Sequence, residues 1–331
     1  MKKTILILSL LMTFSPIKAQ TVSFAISGGL QDEALCEKIG WNISQFLTEI
    51  NRAWSMKGAV PDLSPVSITR DAAESVRMLW KNMPFRCDEE EIVERLIKTY
   101  NGEYQVRNVP IEMVDGSGGD SYQELVLDID KSGCITRVNL AIGSHLYRRV
   151  MSEGTEVEDL RHRQMILDYV EQFRTAYNKK DLNFLEMVFS DDALIIVGKV
   201  VKRRRSDRTV VMDNDIAYTK YSKKEYLERL RTHIFPHTRY IKVNFSEVRV
   251  TKHPTIDGYY GVLLRQGYDS MYDGGIPYSD DGYLFMLWDF RDESMPQIHV
   301  RTWQPYWMDE ARTKAIPDDK VIDINDFRIT K

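Results

Sequence analysis

A chain of 331 residues with 43% hydrophobic side chains is too long for one small core, and two domains of ordinary size are expected. A formal net charge of −4 excludes a molecule that binds nucleic acid through its overall charge. Cys36, Cys87 and Cys134 show no C-x-x-C and no paired His/Cys spacing, which argues against zinc; either a Cys36–Cys87 bridge or three buried thiols fits the pattern.

Residues 1–19 have the layout of a cleavable export signal. Lys2 and Lys3 precede a short apolar run from Ile5 to Phe14, Pro16 breaks it, and Ala19 is the small residue before the expected cut at Gln20. The run is too short to span a bilayer, and no later stretch of the mature chain is apolar enough to do so. The cut lacks a cysteine for lipid attachment, so a periplasmic or secreted protein is expected.

Residues 20–142 read as an N-terminal α+β domain. Ile39, Ile43, Phe46, Leu47, Ile50 and Trp54 recur at helical spacing within 31–57, and Ala73, Val76, Leu79 and Trp80 do so within 70–81. The run D-E-E-E-I-V-E-R-L-I-K-T predicts a third helix over 88–99, its acids in the first turn. From Tyr104 the period becomes two, and 122–130 and 134–142 alternate around Lys131-Ser132-Gly133 as a hairpin. Residues 143–163 read as a polar connector with room for some helix, its composition marking a boundary.

A second domain is predicted over 164–307, followed by a tail over 308–331. Ile166, Tyr169, Val170, Phe173 and Tyr177 share a helical face, and Asp181 can cap a short helix that buries Leu182, Leu185, Val188 and Phe189. The run A-L-I-I-V-G-K-V-V is strongly β-prone, and a strand returning near 209–212 follows. Ser222 can cap a helix over 223–234, and four antiparallel strands follow, near 239–251, 258–268, 282–291 and 296–304. The loop 269–282 reads as a pocket rim, since its acids do not follow calcium-loop spacing.

This order, with Q-F-R-T-A-Y-N-K-K-D (Gln172 to Asp181), F-S-D-D-A (Phe189 to Ala193) and the closing strands G-Y-L-F-M-L-W-D-F and Q-I-H-V-R-T-W-Q, resembles the nuclear-transport-factor-2-like superfamily, also called the cystatin-like or ketosteroid-isomerase-like cone. The resemblance spans about residues 160–307. It implies an α+β fold in which a curved antiparallel sheet wraps around helices to form a pocket. Members include isomerases, dehydratases and cyclases, and many others only bind a ligand or a partner. An exported, non-catalytic binding or scaffolding protein is therefore expected, its small-molecule or protein partner unknown; a small-molecule isomerase, dehydratase or cyclase is the alternative.

The candidate site residues lie on the closing strands. Strict alternation puts His299, Arg301 and Trp303 on one face, with Asp289 and Arg265 contributed from neighbouring strands. This set could bind an anionic or polar ligand; the plainer reading, an ion pair of Asp289 with Arg301 or Arg265 on the outer sheet face or at a domain interface, is favoured. Asp191 and Asp192 sit where a helix turns into a strand and read as turn formers. Phe285 and Leu287 would share the outer face with Asp289, so the N-terminal domain or a second subunit, as in a homo-oligomer through the sheet face, is expected to cover them. Lys202, Arg203, Arg204 and Arg205 form a basic hairpin tip with no interleaved aromatic residue, so no nucleic acid is expected there and a solvated turn is favoured. No motif for a cofactor or a metal is present: there is no Walker loop, Rossmann glycine pattern, G-x-S-x-G or H-E-x-x-H.

N-terminal sequencing of secreted material should find Gln20, or a residue within a few positions of it, at the mature end; an intact Met1 in a membrane fraction would overturn the leader reading.

Overall fold

The computed structural model describes residues 20–327 except 57, 115–119, 155–156, 205–211 and 310. The leader, residues 1–19, lies outside the described residues. β1 (Ser23–Ile26) leads into α1 (Glu33–Ser55), capped by the Asp32 carboxylate accepting from the Leu35 N–H at 3.0 Å. α2 (Arg70–Asn82) is capped by Thr69. The periodic residues of both helices face inward: Ile39, Ile43, Phe46, Leu47 and Ile50 are fully buried, each stabilising the fold by roughly 1.5–3 kcal/mol.

The expected helix over 88–99 is instead extended. β2 (Phe85–Arg86), β3 (Glu91–Glu94) and β4 (Ile97–Lys98) occupy this region. β3 pairs in parallel with β1, from Ser23 opposite Glu91 to Ile26 opposite Glu94, and the Leu96 N–H donates to the Gly28 carbonyl. A distant strand satisfies the backbone here, and that pairing overrides the local helical pattern. β5 (Tyr104–Val114), β6 (Asp120–Ile129) and β7 (Ile135–Leu140) then form an antiparallel sheet in the order β2-β5-β6-β7, with β4 also on β5. The predicted hairpin joins β6 to β7, its turn held by Asp130 Oδ1 accepting from the Ser132 and Cys134 N–H groups, with Gly133 at φ +85°.

Residues 143–163 are more helical and more buried than a polar connector. They carry α3 (Ser144–Ser152) and the first turns of α4 (Val157–Lys179), with Leu146, Tyr147 and Val150 buried. The polar composition deceives because the apolar residues are few but recur at helical spacing. Past α4 come α5 (Leu182–Val188), capped by Asp181, then β8 (Phe189–Arg204) and β9 (Met212–Ser222). α6 (Lys223–Arg229) begins with a capping box of Ser222 and Glu225 and continues into a π-helical turn, Leu230–Ile234. β10 (Thr238–Lys252), β11 (Tyr259–Tyr272), β12 (Pro277–Asp289) and β13 (Gln297–Pro305) close the unit. The sheet runs β10-β11-β12-β13-β8-β9, antiparallel except where β13 meets β8 in parallel. Most of the expected 269–282 loop is strand, leaving a short turn between Tyr272 and Pro277.

Two large hydrophobic cores result. One gathers residues from Val22 to Leu140, with Tyr240; the other runs from Ile142 to Ile298. α4 lies between the two sheets and carries a buried polar seam. Arg107 of β5 and Glu171 form a buried ion pair, and Glu171 Oε1 also accepts from the Ile142 N–H at 2.8 Å. Thr175 accepts from the Leu140 N–H at 2.9 Å, and Arg174 donates to the Val243 carbonyl at 2.8 Å. Gln105 donates to Asp168 at 3.2 Å.

A third, small cluster sits on the outer face of the second sheet: Tyr259, Phe285, Leu287, Val300 and Ile324. The expectation that the N-terminal domain or a second subunit covers Phe285 and Leu287 is corrected here. The chain's own tail does so, with Ile324 buried in the cluster and the Phe327 ring stacked on Phe285 at 5.5 Å. Gly261 makes room, since a Cβ there would meet Phe285 at 2.9 Å and Ile324 at 3.0 Å. Among the described residues no helix is long and apolar enough to cross a membrane.

Burial, with the carboxylates of Asp128 and Glu171 close by, pushes the Asp168 carboxyl up to about 8 from its ordinary 3.8. The fold thus favours the protonated acid. That contribution is fully present below pH 4 and is lost as pH rises toward 8. Asp168→Asn should therefore gain on the order of a few kcal/mol over the parent at pH 9 and little at pH 5, measured by chemical denaturation at both values.

Candidate functional site

The closing strand does not alternate strictly. Leu287 of β12 faces Val300 and Trp288 faces Ile298, so His299 is an extra residue in β13; the pairing with β8 is also broken here, Ile298 facing Phe189 and Val300 facing Leu194. This β-bulge changes the facing of everything after it. Ile298 lies in the inner core, Val300 in the outer cluster, and Arg301 and Trp303 line the inside of the cone. The expectation that Asp289, His299, Arg301 and Trp303 share one face is therefore corrected: the first two stand outside and the last two inside.

Outside, His299 Nε2 lies 3.4 Å from Asp289 and Nδ1 lies 3.4 Å from Asp192, with the ring 5.7 Å from that of Tyr259. The partner of Asp289 is Arg291, at 2.7 Å, rather than Arg301 or Arg265. Burial works against ionisation of Asp289, yet the hydrogen bonds from Arg291 outweigh it and hold the carboxyl below its usual range. Arg265 pairs with Asp281 at 2.5 Å and lies over the Tyr306 ring at 3.8 Å. Asp191 pairs with Lys223 at 2.9 Å, and Asp192 accepts from Ser190. Phe285 serves the tail contact. Of the basic hairpin, Lys202, Arg203 and Arg204 contribute backbone to β8, while their side chains and all of Arg205 lie outside the described residues.

Inside the cone is a cavity of about 700 Å³. Its depth is set by α4 and α6, which bring Tyr177 and Tyr226 together with hydroxyls 2.5 Å apart. Burial holds the Tyr177 hydroxyl well above its ordinary value. Arg301 is 5% exposed, with its guanidinium 5.3 Å from the centre of the Tyr226 ring. Its Nε is buried without a hydrogen-bond partner, and among the described residues no carboxylate forms an ion pair with it. Gln266 and Tyr268 of β11 and Trp303 of β13 continue the wall. At the mouth, the Tyr278 hydroxyl donates to Asp280 at 2.9 Å, and burial raises the Asp280 carboxyl. Trp307, Asp309 and Arg312 from the tail complete the rim.

Sequence reasoning had Arg301 and Trp303 as candidates and put Asp280 in a pocket-rim segment, but missed Tyr177, Tyr226, Gln266 and Tyr268. One signal was present in β11, whose inward face runs Tyr260, Val262, Leu264 and then Gln266 and Tyr268. An inward face that turns polar toward one end marks where close packing gives way to a cavity.

The helix, helix, strand, strand, helix, strands order and the six-stranded curled sheet give the C-terminal unit the cone architecture that the sequence resemblance implies. No protein-family model matches the chain, and no curated protein does. Among solved structures, it is similar to a nuclear transport factor 2-like superfamily protein from Salmonella enterica serovar Typhimurium, at 10% identity over 43% of this chain and 89% of that one, with a TM-score of 0.33. A nuclear transport factor 2-like protein from Cytophaga hutchinsonii shares 14% identity over 46% of this chain and 99% of its own, with a TM-score of 0.31. Hexachlorocyclohexane dehydrochlorinase LinA-type3 from Novosphingobium barchaimii shares 11% identity over 49% of this chain and 99% of its own, with a TM-score of 0.36.

A buried cation without a counter-charge is costly. Replacing it should show this: Arg301→Met, in the absence of any ligand, is expected to raise unfolding stability by about 1–3 kcal/mol, measured by denaturant titration. Equal or lower stability would mean that the guanidinium is already compensated in the free protein.

Proposed function

We propose that this chain is an exported binding protein whose cone cavity holds a small anionic molecule without converting it. The observation that carries this reading is Arg301, buried at the cavity wall with no carboxylate among the described residues to neutralise it. A guanidinium stays charged at every physiological pH, so its counter-ion has to come from the ligand.

Binding without conversion is supported by where the acids and bases stand. Proton transfer needs a group within hydrogen-bond reach of the bound molecule whose pKa lies near the working pH. His299, Asp289 and Asp192 are on the outer face of the sheet, across the strands from the cavity. The inner polar groups, Arg301, Gln266 and the Tyr177–Tyr226 hydroxyl pair, are donors suited to holding a ligand. Asp280, the one carboxylate here whose pKa is raised, bonds to Tyr278 at the mouth, which is the place for a rim contact and the single position an isomerase, dehydratase or cyclase could use.

Thermal unfolding of the mature chain against a panel of small carboxylates and phosphate esters, each beside a neutral amide or alcohol counterpart, tests the reading. An anion at 100 times its dissociation constant should add about 2.7 kcal/mol of stability to the parent, its neutral counterpart far less, and Arg301→Met should lose the effect. The bound molecule should be recovered unchanged. Anion shifts that persist in Arg301→Met would overturn the cavity assignment, and chemical change of the ligand that stops in Asp280→Asn would replace binding with catalysis.

A further inference from the structure

Resting on the binding role proposed above, we infer that the cavity takes an aromatic monocarboxylate, its carboxylate on Arg301 and its rings against the aromatic wall. Three observations converge on this class.

The first is the charge count. Arg301 is the one cation among the deeply buried residues that line the cavity. The other lining cations, Lys199, Arg229 and Arg312, are not among the buried residues. At the mouth stand the carboxylates Asp280, Asp281 and Asp309. The outer lining charges are of both signs, Lys199, Arg229 and Arg312 beside Asp280 and Asp309, while Asp281 is held by Arg265. The one deeply buried positive charge therefore matches a single negative charge, whereas a phosphate monoester would bring about two charges to one buried partner.

The second is the shape of the donor. A guanidinium presents parallel N–H groups in a plane, which a carboxylate meets with both oxygens. The Tyr226 ring lies 5.3 Å from the guanidinium carbon and fixes one side of that group.

The third is the wall. Tyr226, Tyr268, Trp303, Tyr278 and Trp307 are all cavity-lining aromatic side chains. Tyr268 and Tyr278 meet edge to face at 6.0 Å, presenting ring surface rather than flexible aliphatic groups. Such walls favour a flat, rigid body over a floppy chain, because rings pair through their faces and edges in defined geometries. A cavity of about 700 Å³ exceeds a single ring and suits two fused or linked ones.

Isothermal titration of the mature chain with four probes decides it: 2-naphthoate, the neutral isostere 2-naphthamide, the dianion 2-naphthyl phosphate and the aliphatic monoanion decanoate. The expected result is that 2-naphthoate binds at least ten-fold more tightly than each of the others, and that Arg301→Met loses at least ten-fold for 2-naphthoate while leaving 2-naphthamide unchanged. Arg301→Lys, with the charge kept and the fork lost, should fall between. Tighter binding of decanoate or the phosphate overturns the aromatic monocarboxylate class and leaves the anion-binding role standing. Amide binding equal to naphthoate overturns both. Binding of none of the four overturns the class. The comparison among probes on the parent protein needs no variant, so a misfolded substitution does not rescue the inference.

Discussion

The arrangement of both halves depends on one buried ion pair, Arg107 with Glu171, at the middle of α4. Glu171 takes the guanidinium of a strand in the first sheet and the backbone N–H of Ile142, where the chain leaves that sheet. Three residues on, Arg174 bridges both sides, donating to the carbonyl of Val243 in the second sheet and to that of Ala141 at the end of the first. Buried pairs of this kind add little net stability, because desolvation consumes most of the Coulomb gain, but removing one partner is severe. Their value here is directional. They fix the rotation and height of α4 between two sheets whose apolar contacts alone would tolerate sliding. Tyr177, two turns further along, is thereby held where it meets Tyr226 and closes the depth of the cavity.

The second constraint is the single extra residue in β13. Without the bulge at His299, the alternation that buries Ile298 would have placed Arg301 outside with Asp289, in the surface ion pair that the pattern suggests. With it, the charge turns inward and Val300 turns outward to join Phe285 under the tail. One inserted residue therefore makes the cavity polar at depth and at the same time supplies the outer apolar cluster that the tail covers. The tail then does two jobs, since Phe327 closes that cluster while Trp307 and Arg312 shape the cavity mouth.

What the sequence made legible follows from which interactions are local. α1, α2 and α4 announce themselves because their buried residues recur at 3.6, and α5 and α6 because Asp181 and Ser222 cap them within three residues. The closing strands, and with them the cone, were readable from alternation and motif together. Apart from the helical extent of 143–163, a local pattern masked by polar composition, the failures are non-local. Residues 88–99 are extended because β1, some 68 positions earlier, pairs with them. The parallel contact of β13 with β8 joins strands about a hundred residues apart. A bulge leaves no compositional mark, and the tail's contact with Phe285 depends on a surface that exists only once the sheet has formed. The site was half readable for the same reason: Arg301 and Trp303 were singled out on a strand, but their facing was assigned by a rule that one residue breaks.

The cavity runs against the economy of the rest of the fold. Elsewhere among the described residues the buried arginines have partners: Arg107 has Glu171, Arg163 has Asp159, and Arg174 has four amide oxygens, those of Val243, Ala141, Gln123 and Asn244. Arg301 has an aromatic face and nothing ionic among the described residues. The cation–π contact with Tyr226 offsets part of the desolvation cost, about 2 kcal/mol in a dry setting, and leaves the remainder unmet. The second core can carry that deficit because Trp288 and Phe290 pack against His162 and Tyr169 in the other half of α4, and Phe173 and Phe189 pack beside Tyr177 and Tyr226. A cost that is confined to one position, lies in a cavity and is sustained by a core built elsewhere has the form of strain kept for binding rather than a flaw in packing.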